Sequence, residues 1–167
     1  ALQKIVRSDP RHAGAWFNLA VAHQAAGHLG DARAAWDRVL ELAPRPEACA
    51  RRGEVLLDLH EWAAAAADFE AVLRAQPDAA DATMNLALAL ASAKRGDEAR
   101  TLLVEFVGRH TCHVPALNRL AELAWTTFQA APAESVAARE EAVEWWRRSL
   151  ECDPEQAEVR AALEAAR

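Results

Sequence analysis

Three potential metal ligands, His110, Cys112 and His113, form the densest group of chemically reactive side chains in the sequence. Imidazole nitrogen and thiolate sulfur are both common ligands of zinc. A structural zinc site usually has four ligands, and the neighbouring sequence does not supply a fourth. We therefore predict an ordinary turn at this point, with no bound metal and no cofactor.

Other residues that could do chemistry are scattered. His23, His28 and His60 fall on helix faces or turns, where packing or surface roles are expected instead of metal binding. The acidic pair Glu140 and Glu141 is typical of a solvated helix face. The sequence has no Gly-rich phosphate loop, no GxSxG and no HExxH motif. We predict no catalytic residues and a protein that is not an enzyme.

The amino-acid composition indicates which classes of partner and which compartment to expect. The net charge of -6 argues against a nucleic-acid-binding surface, which needs a basic stripe. No apolar run reaches the roughly 18 residues of a membrane span, so membrane insertion is not expected. Three cysteines, with Cys49 expected to be buried, argue against a disulfide framework and for a reducing compartment. A cytoplasmic location follows as the expectation, with the bacterial periplasm as the alternative.

The residues that could bind a partner must be positioned by helices. The stretch Trp16–Pro44 contains two amphipathic helical patterns separated by Gly27 and Gly30. Weaker copies follow it, and the prolines that end successive copies are 34 and 33 residues apart: Pro10, Pro44 and Pro77. A fixed period in this range indicates stacked helix pairs, because one pair cannot bury its apolar face alone.

Matching positions in the four copies carry matching residue types. The first copy fills the pattern W-x2-L-G-x2-Y…A-x3-F…P with these residues: Trp16, Leu19, Ala20, His23, Ala32, Trp36 and Pro44. Small residues recur where helices must cross closely: Ala20, Gly53, Ala87 and Ala121, and Ala32, Ala65, Ala99 and Ala142. Large residues recur between units: Trp36, Phe69, Leu103 and Trp146. The chain resembles the tetratricopeptide repeat (TPR) family over nearly its whole length.

The resemblance implies an all-α, right-handed α-solenoid of antiparallel helix pairs with about four and a half TPR units. The expected segments are the second helix of a truncated repeat at 1–10, TPR 1 at 11–44, TPR 2 at 45–77, TPR 3 at 78–111, TPR 4 at 112–154 with an insertion near 125–139, and a capping helix at 155–167. In TPR 3 the late Gly96 predicts a first helix about half a turn longer. Arg52, which replaces the usual Leu, predicts a less regular joint.

In this family the first helix of each pair lines a concave groove. The resemblance implies that one side chain per repeat faces this groove, in the order Asn18, Arg51, Asn85 and Arg119. An Asn amide can pair with both groups of a peptide unit, and Arg suits a carboxylate. The neighbouring groove positions are Phe17, Val21, Glu54, Met84, Leu88, Asn118, Glu122 and Trp125. The alternative is that the two Arg residues merely pair with Glu54 and Glu122 one helical turn on.

The predicted function is a non-catalytic protein–protein interaction module that binds a peptide or protein segment in its concave groove. One alternative is a substrate-recruiting or regulatory arm of a larger modifying enzyme, since the sequence begins within a repeat. Another is a self-assembling scaffold, joined end to end through the exposed faces at 1–8 and 155–166.

Overall fold

The computed structural model describes residues 2–166, and these residues form ten α-helices and no β-strand. The predicted all-α fold class is confirmed. The chain divides into two compact units at residues 93 and 94. Unit 1 contains α1 (Leu2–Ser8), α2 (Ala13–Ala25), α3 (Leu29–Leu42), α4 (Pro46–Asp58), α5 (Trp62–Ala75) and α6 (Ala80–Ser92). Unit 2 contains α7 (Gly96–Arg109), α8 (Val114–Ala130), α9 (Val136–Cys152) and α10 (Ala157–Ala165). The terminal residues of the predicted segments 1–10 and 155–167 lie outside the described part.

The turns that separate paired helices share one backbone device. A residue in the left-handed region follows the first helix of each of the first three pairs, at Gly27 (φ 73°), His60 (φ 60°) and Lys94 (φ 62°). Such a residue ends a helix and lets the chain reverse. Because Lys94 takes this role, α6 has 13 residues like α2 and α4, and the prediction of a longer helix is wrong. Gly96 instead begins α7.

The core of unit 1 follows the alternation of small and large residues. Ala20, Ala32 and Trp36 are fully buried in one cluster between α2, α3 and α4. At Gly53 a Cβ atom would lie 2.8 Å from the buried ring of Phe69, so the two helices cross as closely as the pattern predicts. The short α1 packs against α2 through a second cluster: Val6, Ala15 and Leu19, with Leu2 and Trp16 partly buried against them. Ile5, on the same helix, is exposed.

Two carboxylates, Asp37 on α3 and Asp68 on α5, neutralise Arg52 on α4. Its guanidinium donates to both Asp68 oxygens at 2.6 and 2.8 Å and to Asp37 at 2.7 Å. Asp68 is buried, whereas Asp37 is half-buried. The hydrogen bonds that Arg52 donates to Asp68, more than the one that it donates to Asp37, hold the pKa of Arg52 above its usual value despite partial burial. A charged residue therefore occupies a position where the family usually has Leu.

Replacing Arg52 with Leu should lower the free energy of unfolding by about 2 kcal/mol, because the buried Asp68 carboxylate loses its counter-ion. The double variant Arg52→Leu/Asp68→Asn should recover much of this loss, since no buried charge is left unpaired. Urea unfolding followed by circular dichroism measures both changes. A double variant as unstable as the sum of its two single variants would contradict the ion-pair explanation.

The core of unit 2 lies mainly between α8 and α9, each of 17 residues. Ala121 and Ala142 are fully buried at the crossing, and Trp146 is nearly so. The extra residues of the fourth repeat lengthen both helices, and the turn between them contains Pro132. The last helix, α10, packs on this core through Val159.

A disulfide joins Cys112 to Cys152, with 5.5 Å between the Cα atoms, a common distance for such a bond. The prediction that disulfides are absent is therefore wrong. Cys112 precedes α8 and Cys152 ends α9, and two antiparallel helices of equal length return the chain to its starting point. The expectation of a reducing compartment loses its basis, because it depended on unpaired thiols.

Cys49 is the cysteine left as a free thiol. It is half-buried, not fully buried as predicted. Burial, with a smaller contribution from the charge of Asp68, raises the pKa of this thiol. The raised pKa favours the protonated thiol, which is less reactive than the thiolate.

Candidate functional site

Two adjoining depressions lie between α2 and the start of α4 in unit 1, with volumes of 380 and 320 Å³. We call them together the Phe17 groove, because Phe17 lies between them and lines both. The first depression is lined by Ala13, Gly14, Phe17, Asn18, Val39, Arg45 and Glu47. The second is lined by Phe17, Val21, Gln24, Ala25, Glu47 and Arg51. Four of the predicted groove residues therefore meet here: Phe17, Asn18, Val21 and Arg51.

The apolar floor of the groove is held in place from below. The Phe17 ring meets the fully buried Trp36 ring edge to face, with 4.9 Å between centroids. Beside it, Val21 is 43% exposed, which leaves its methyl groups accessible. An apolar side chain from a partner could bury both surfaces at about 25 cal/mol per Å².

The polar wall combines an amide with a small charge network. Asn18 is exposed, and its amide makes no hydrogen bond to another residue in 2–166. The Arg51 guanidinium lies 3.3 Å from the Glu54 carboxylate, which also accepts from Gln24 at 3.4 Å. The predicted pairing of Arg51 with Glu54 is thus present. It is worth only a few tenths of a kcal/mol at an exposed site, so it is readily exchanged for a partner's carboxylate.

Three polar residues of the groove escaped the sequence analysis. Arg45 and Glu47 flank Pro46, the first residue of α4, and Gln24 lies near the end of α2. The family pattern concentrates attention on the middle of the first helix in each pair. The signal that could have found them is Pro46 itself, because Pro fits the first turn of a helix and fixes where α4 begins beside α2.

The predicted groove residues of α6 are placed differently. Met84, Asn85 and Leu88 are half-buried on this helix, and none of them lines the Phe17 groove. The Asn85 amide, like that of Asn18, makes no hydrogen bond to another described residue. A role for these three residues in binding remains a prediction.

The predicted groove residues of unit 2 lie on α8. Arg119 pairs with Glu122 at 3.0 Å, as the alternative interpretation expected. Asn118 donates to the Gln156 side chain at 2.7 Å, so its amide nitrogen is occupied by the residue that precedes α10. Trp125 packs against Phe128 and Trp146, with ring centroids 5.1 and 5.5 Å apart, and is partly buried. Asn118 and Trp125 therefore both make contacts within unit 2 that stabilise the fold.

The three potential ligands near the start of α8 have other roles. Cys112 is in the disulfide, so it cannot supply a thiolate. The Nδ1 atom of His113 accepts from the backbone N–H of Ala116 and caps α8. The His110 ring lies on Phe106, with 4.5 Å between centroids. Each residue serves the turn before α8.

Comparison with known proteins supports the repeat assignment. A tetratricopeptide repeat model matches residues 50–109, and a second tetratricopeptide repeat model matches residues 13–45. No curated protein sequence matches the chain. Helix pairs of this kind, with small residues at their crossings and large residues between them, define a TPR solenoid. The chain belongs to the tetratricopeptide repeat family.

Solved structures have the same fold at low sequence identity. A crystal structure of MamA is 19% identical, with a TM-score of 0.78, and the match covers 95% of this chain and 88% of that one. MamA from residue 41 onward, from Desulfovibrio magneticus RS-1, is 21% identical with a TM-score of 0.77, covering 93% and 84%. YrrB, a TPR protein with an unusual peptide-binding site, is 20% identical with a TM-score of 0.72, covering 99% and 81%.

No helix within residues 2–166 is both long enough and apolar enough to cross a lipid bilayer.

Proposed function

We propose that the protein is an interaction module that binds an extended peptide segment of a partner protein in the Phe17 groove. The observation that carries this proposal is that two adjoining depressions combine an accessible apolar floor with the Asn18 amide in one and the Arg51 guanidinium, whose ion pair is readily exchanged, in the other. Membership of the TPR family, whose members bind proteins, supports it. So does the similarity of fold to YrrB, itself a TPR protein with a peptide-binding site.

The groove chemistry indicates what the segment contains. The Asn18 amide can donate to one backbone carbonyl and accept from one backbone N–H, which favours an extended chain. Phe17 and Val21 favour an apolar side chain between them. Arg45 and Arg51 favour a carboxylate near that side chain, whereas Glu47 disfavours a second one beside it. The proposed ligand is an extended segment with one apolar anchor and one flanking acidic residue.

A displayed random-peptide library selected on the wild-type protein provides ligands for a direct test. Binding of the selected peptides, measured by fluorescence anisotropy, should be weakened about 10- to 100-fold in the variant Asn18→Ala/Arg51→Ala. This range corresponds to the loss of a hydrogen bond to a charged group. The peptides themselves should be enriched in an apolar residue next to Asp or Glu.

The matched control is Arg33→Ala on α3. Arg33 also makes one exposed ion pair in unit 1, with Glu61 at 2.6 Å, but it does not line the groove. This variant should bind the peptides like wild type. Equal binding by all three proteins would mean that the peptides use another surface, and would contradict the proposal.

A further inference from the structure

The turn between α2 and α3 brings together two imidazoles and a carboxylate. One potential ligand atom from each of His23, His28 and Asp31 lies within 4.8 Å of the other two. The imidazole rings of His23 and His28 are 5.9 Å apart between centroids, and Nδ1 of His23 is 3.8 Å from a carboxylate oxygen of Asp31. This cluster is separate from the Phe17 groove, whose lining includes none of the three residues.

Main-chain hydrogen bonds in the turn fix the backbone positions of the two histidines. The N–H of His28 donates to the carbonyl of His23 at 2.9 Å, and the N–H of Gly27 donates to the carbonyl of Gln24 at 3.0 Å. These two bonds, with Gly27 in the left-handed region, form the Schellman motif that ends α2. The two histidines are therefore joined directly by a main-chain hydrogen bond. Asp31 follows in the first turn of α3.

The side chain of His28 does not cap its helix, unlike two other histidines at the same kind of position. His12, His28 and His113 each occupy the residue before a helix, and the Nδ1 atoms of His12 and His113 accept a backbone N–H there. His28 makes no such capping bond. Its imidazole lies beside His23 and Asp31 instead, and it makes no hydrogen bond to any other residue in 2–166.

The repeat fold does not require this cluster. The turn between α4 and α5 has the same two bonds, from Glu61 to Leu56 and from His60 to Leu57. The residues equivalent to His23, His28 and Asp31 in the next two repeats are these: Leu56, Glu61 and Ala64, then Leu90, Arg95 and Glu98. Neither set contains a histidine, so neither offers the two imidazole nitrogens and the carboxylate that the first repeat provides. The cluster thus occurs in the first full repeat and not in the next two.

We propose that His23, His28 and Asp31 form a binding site for Zn²⁺ or a similar divalent transition metal ion. Neutral imidazole suits zinc, copper and nickel, and a carboxylate oxygen completes a two-His, one-Asp set. Ligand atoms bonded to one tetrahedral zinc ion lie about 3.3 Å apart, given bonds of about 2.0 Å. The three atoms need to approach each other by at most about 1.5 Å, which rotation of the exposed His28 and Asp31 side chains provides. Three protein ligands leave the fourth position to water.

Isothermal titration of the purified protein with ZnCl2 tests the proposal. We expect one ion per chain, and binding weakened about tenfold or more in His28→Gln and in Asp31→Asn, because each removes one of three protein ligands. Both residues are exposed and His28 does not cap its helix, so both variants should remain folded by circular dichroism. MgCl2 should not bind, because Mg²⁺ prefers oxygen ligands.

Two control variants exclude other sources of binding. His60→Asn removes a histidine from the equivalent turn of the next repeat, and Asn tolerates the left-handed conformation there. Cys49→Ser removes the free thiol. Both should bind zinc like wild type, and zinc should shift the imidazole NMR signals of His23 and His28 but not that of His60. Absence of one-to-one zinc binding, undiminished binding in His28→Gln, or equal loss in His60→Asn would each overturn the proposal.

Discussion

Replacing both Cys112 and Cys152 with Ser should lower the free energy of unfolding of unit 2 by about 3–4 kcal/mol. The bond closes a segment with a sequence separation of 40 residues. Cross-linking a segment of this length restricts the unfolded chain, and the chain-entropy model assigns such a bond about 4 kcal/mol, with engineered and natural bonds commonly at 2–4 kcal/mol. Urea unfolding followed by circular dichroism, with and without reductant, measures the loss.

The location of the loss is as informative as its size. Hydrogen exchange should accelerate in α8 and α9, which the bond closes into one hairpin, and much less in α2–α4 of unit 1. Cys49→Ser is the control, since Cys49 is the free thiol and should not respond to reductant. An unfolding midpoint that is the same with and without reductant, and the same in the double Ser variant, would contradict this prediction.

The packing of the repeats could be predicted from the sequence because residue volume determines it. A helix crossing has room only for Gly or Ala, and the space between successive pairs needs a large side chain. These demands recur at a fixed period, so Ala20, Gly53, Trp36 and Phe69 were placed correctly. Phe69 shows how strict the demand is, because its ring leaves no space for a Cβ atom at Gly53.

The features that the sequence did not predict depend on three-dimensional paths. The disulfide joins a residue just before α8 to the last residue of α9, and the alignment of Cys112 with Cys152 is visible only once both helix bounds are known. The end of α6 depends on Lys94 adopting a conformation for which Gly is the usual residue. Asp68 is buried with its charge paired by Arg52, which reaches it from the neighbouring helix. None of these features recurs at a fixed interval in the sequence.

The candidate site was predicted in part for the same reason. Phe17, Asn18, Val21 and Arg51 fall on the periodic positions of the first helices and do meet in one groove. Further lining comes from the residues around Pro46, where the chain enters α4, and such entry positions carry no helical period. To predict a groove between two repeats, both the periodic pattern of the first helix and the residue at which the helix of the next repeat begins must therefore be known.

Replacing Trp36 with Ala should lower the free energy of unfolding by about 3–5 kcal/mol, the usual cost of removing a fully buried aromatic side chain. Trp36 has no exposed surface and lies at the centre of the cluster between α2, α3 and α4. Its indole Nε1 has no hydrogen-bond partner among the described residues. Trp36→Phe should therefore cost much less, about 1 kcal/mol, because it keeps an aromatic ring and removes a buried donor without a partner. Urea unfolding followed by circular dichroism compares the two variants.

The same pair of variants tests whether the groove depends on this core. The Phe17 ring rests edge to face on Trp36, so Trp36→Ala removes the surface that orients the groove floor. At a urea concentration where both variants remain folded, peptides selected on the wild type should bind Trp36→Ala about tenfold more weakly, as expected when an apolar anchor loses its support. Trp36→Phe should retain most of the affinity. Equal stability of the two variants would show that the indole is not closely packed, and equal affinity would show that Phe17 is held in place by other contacts.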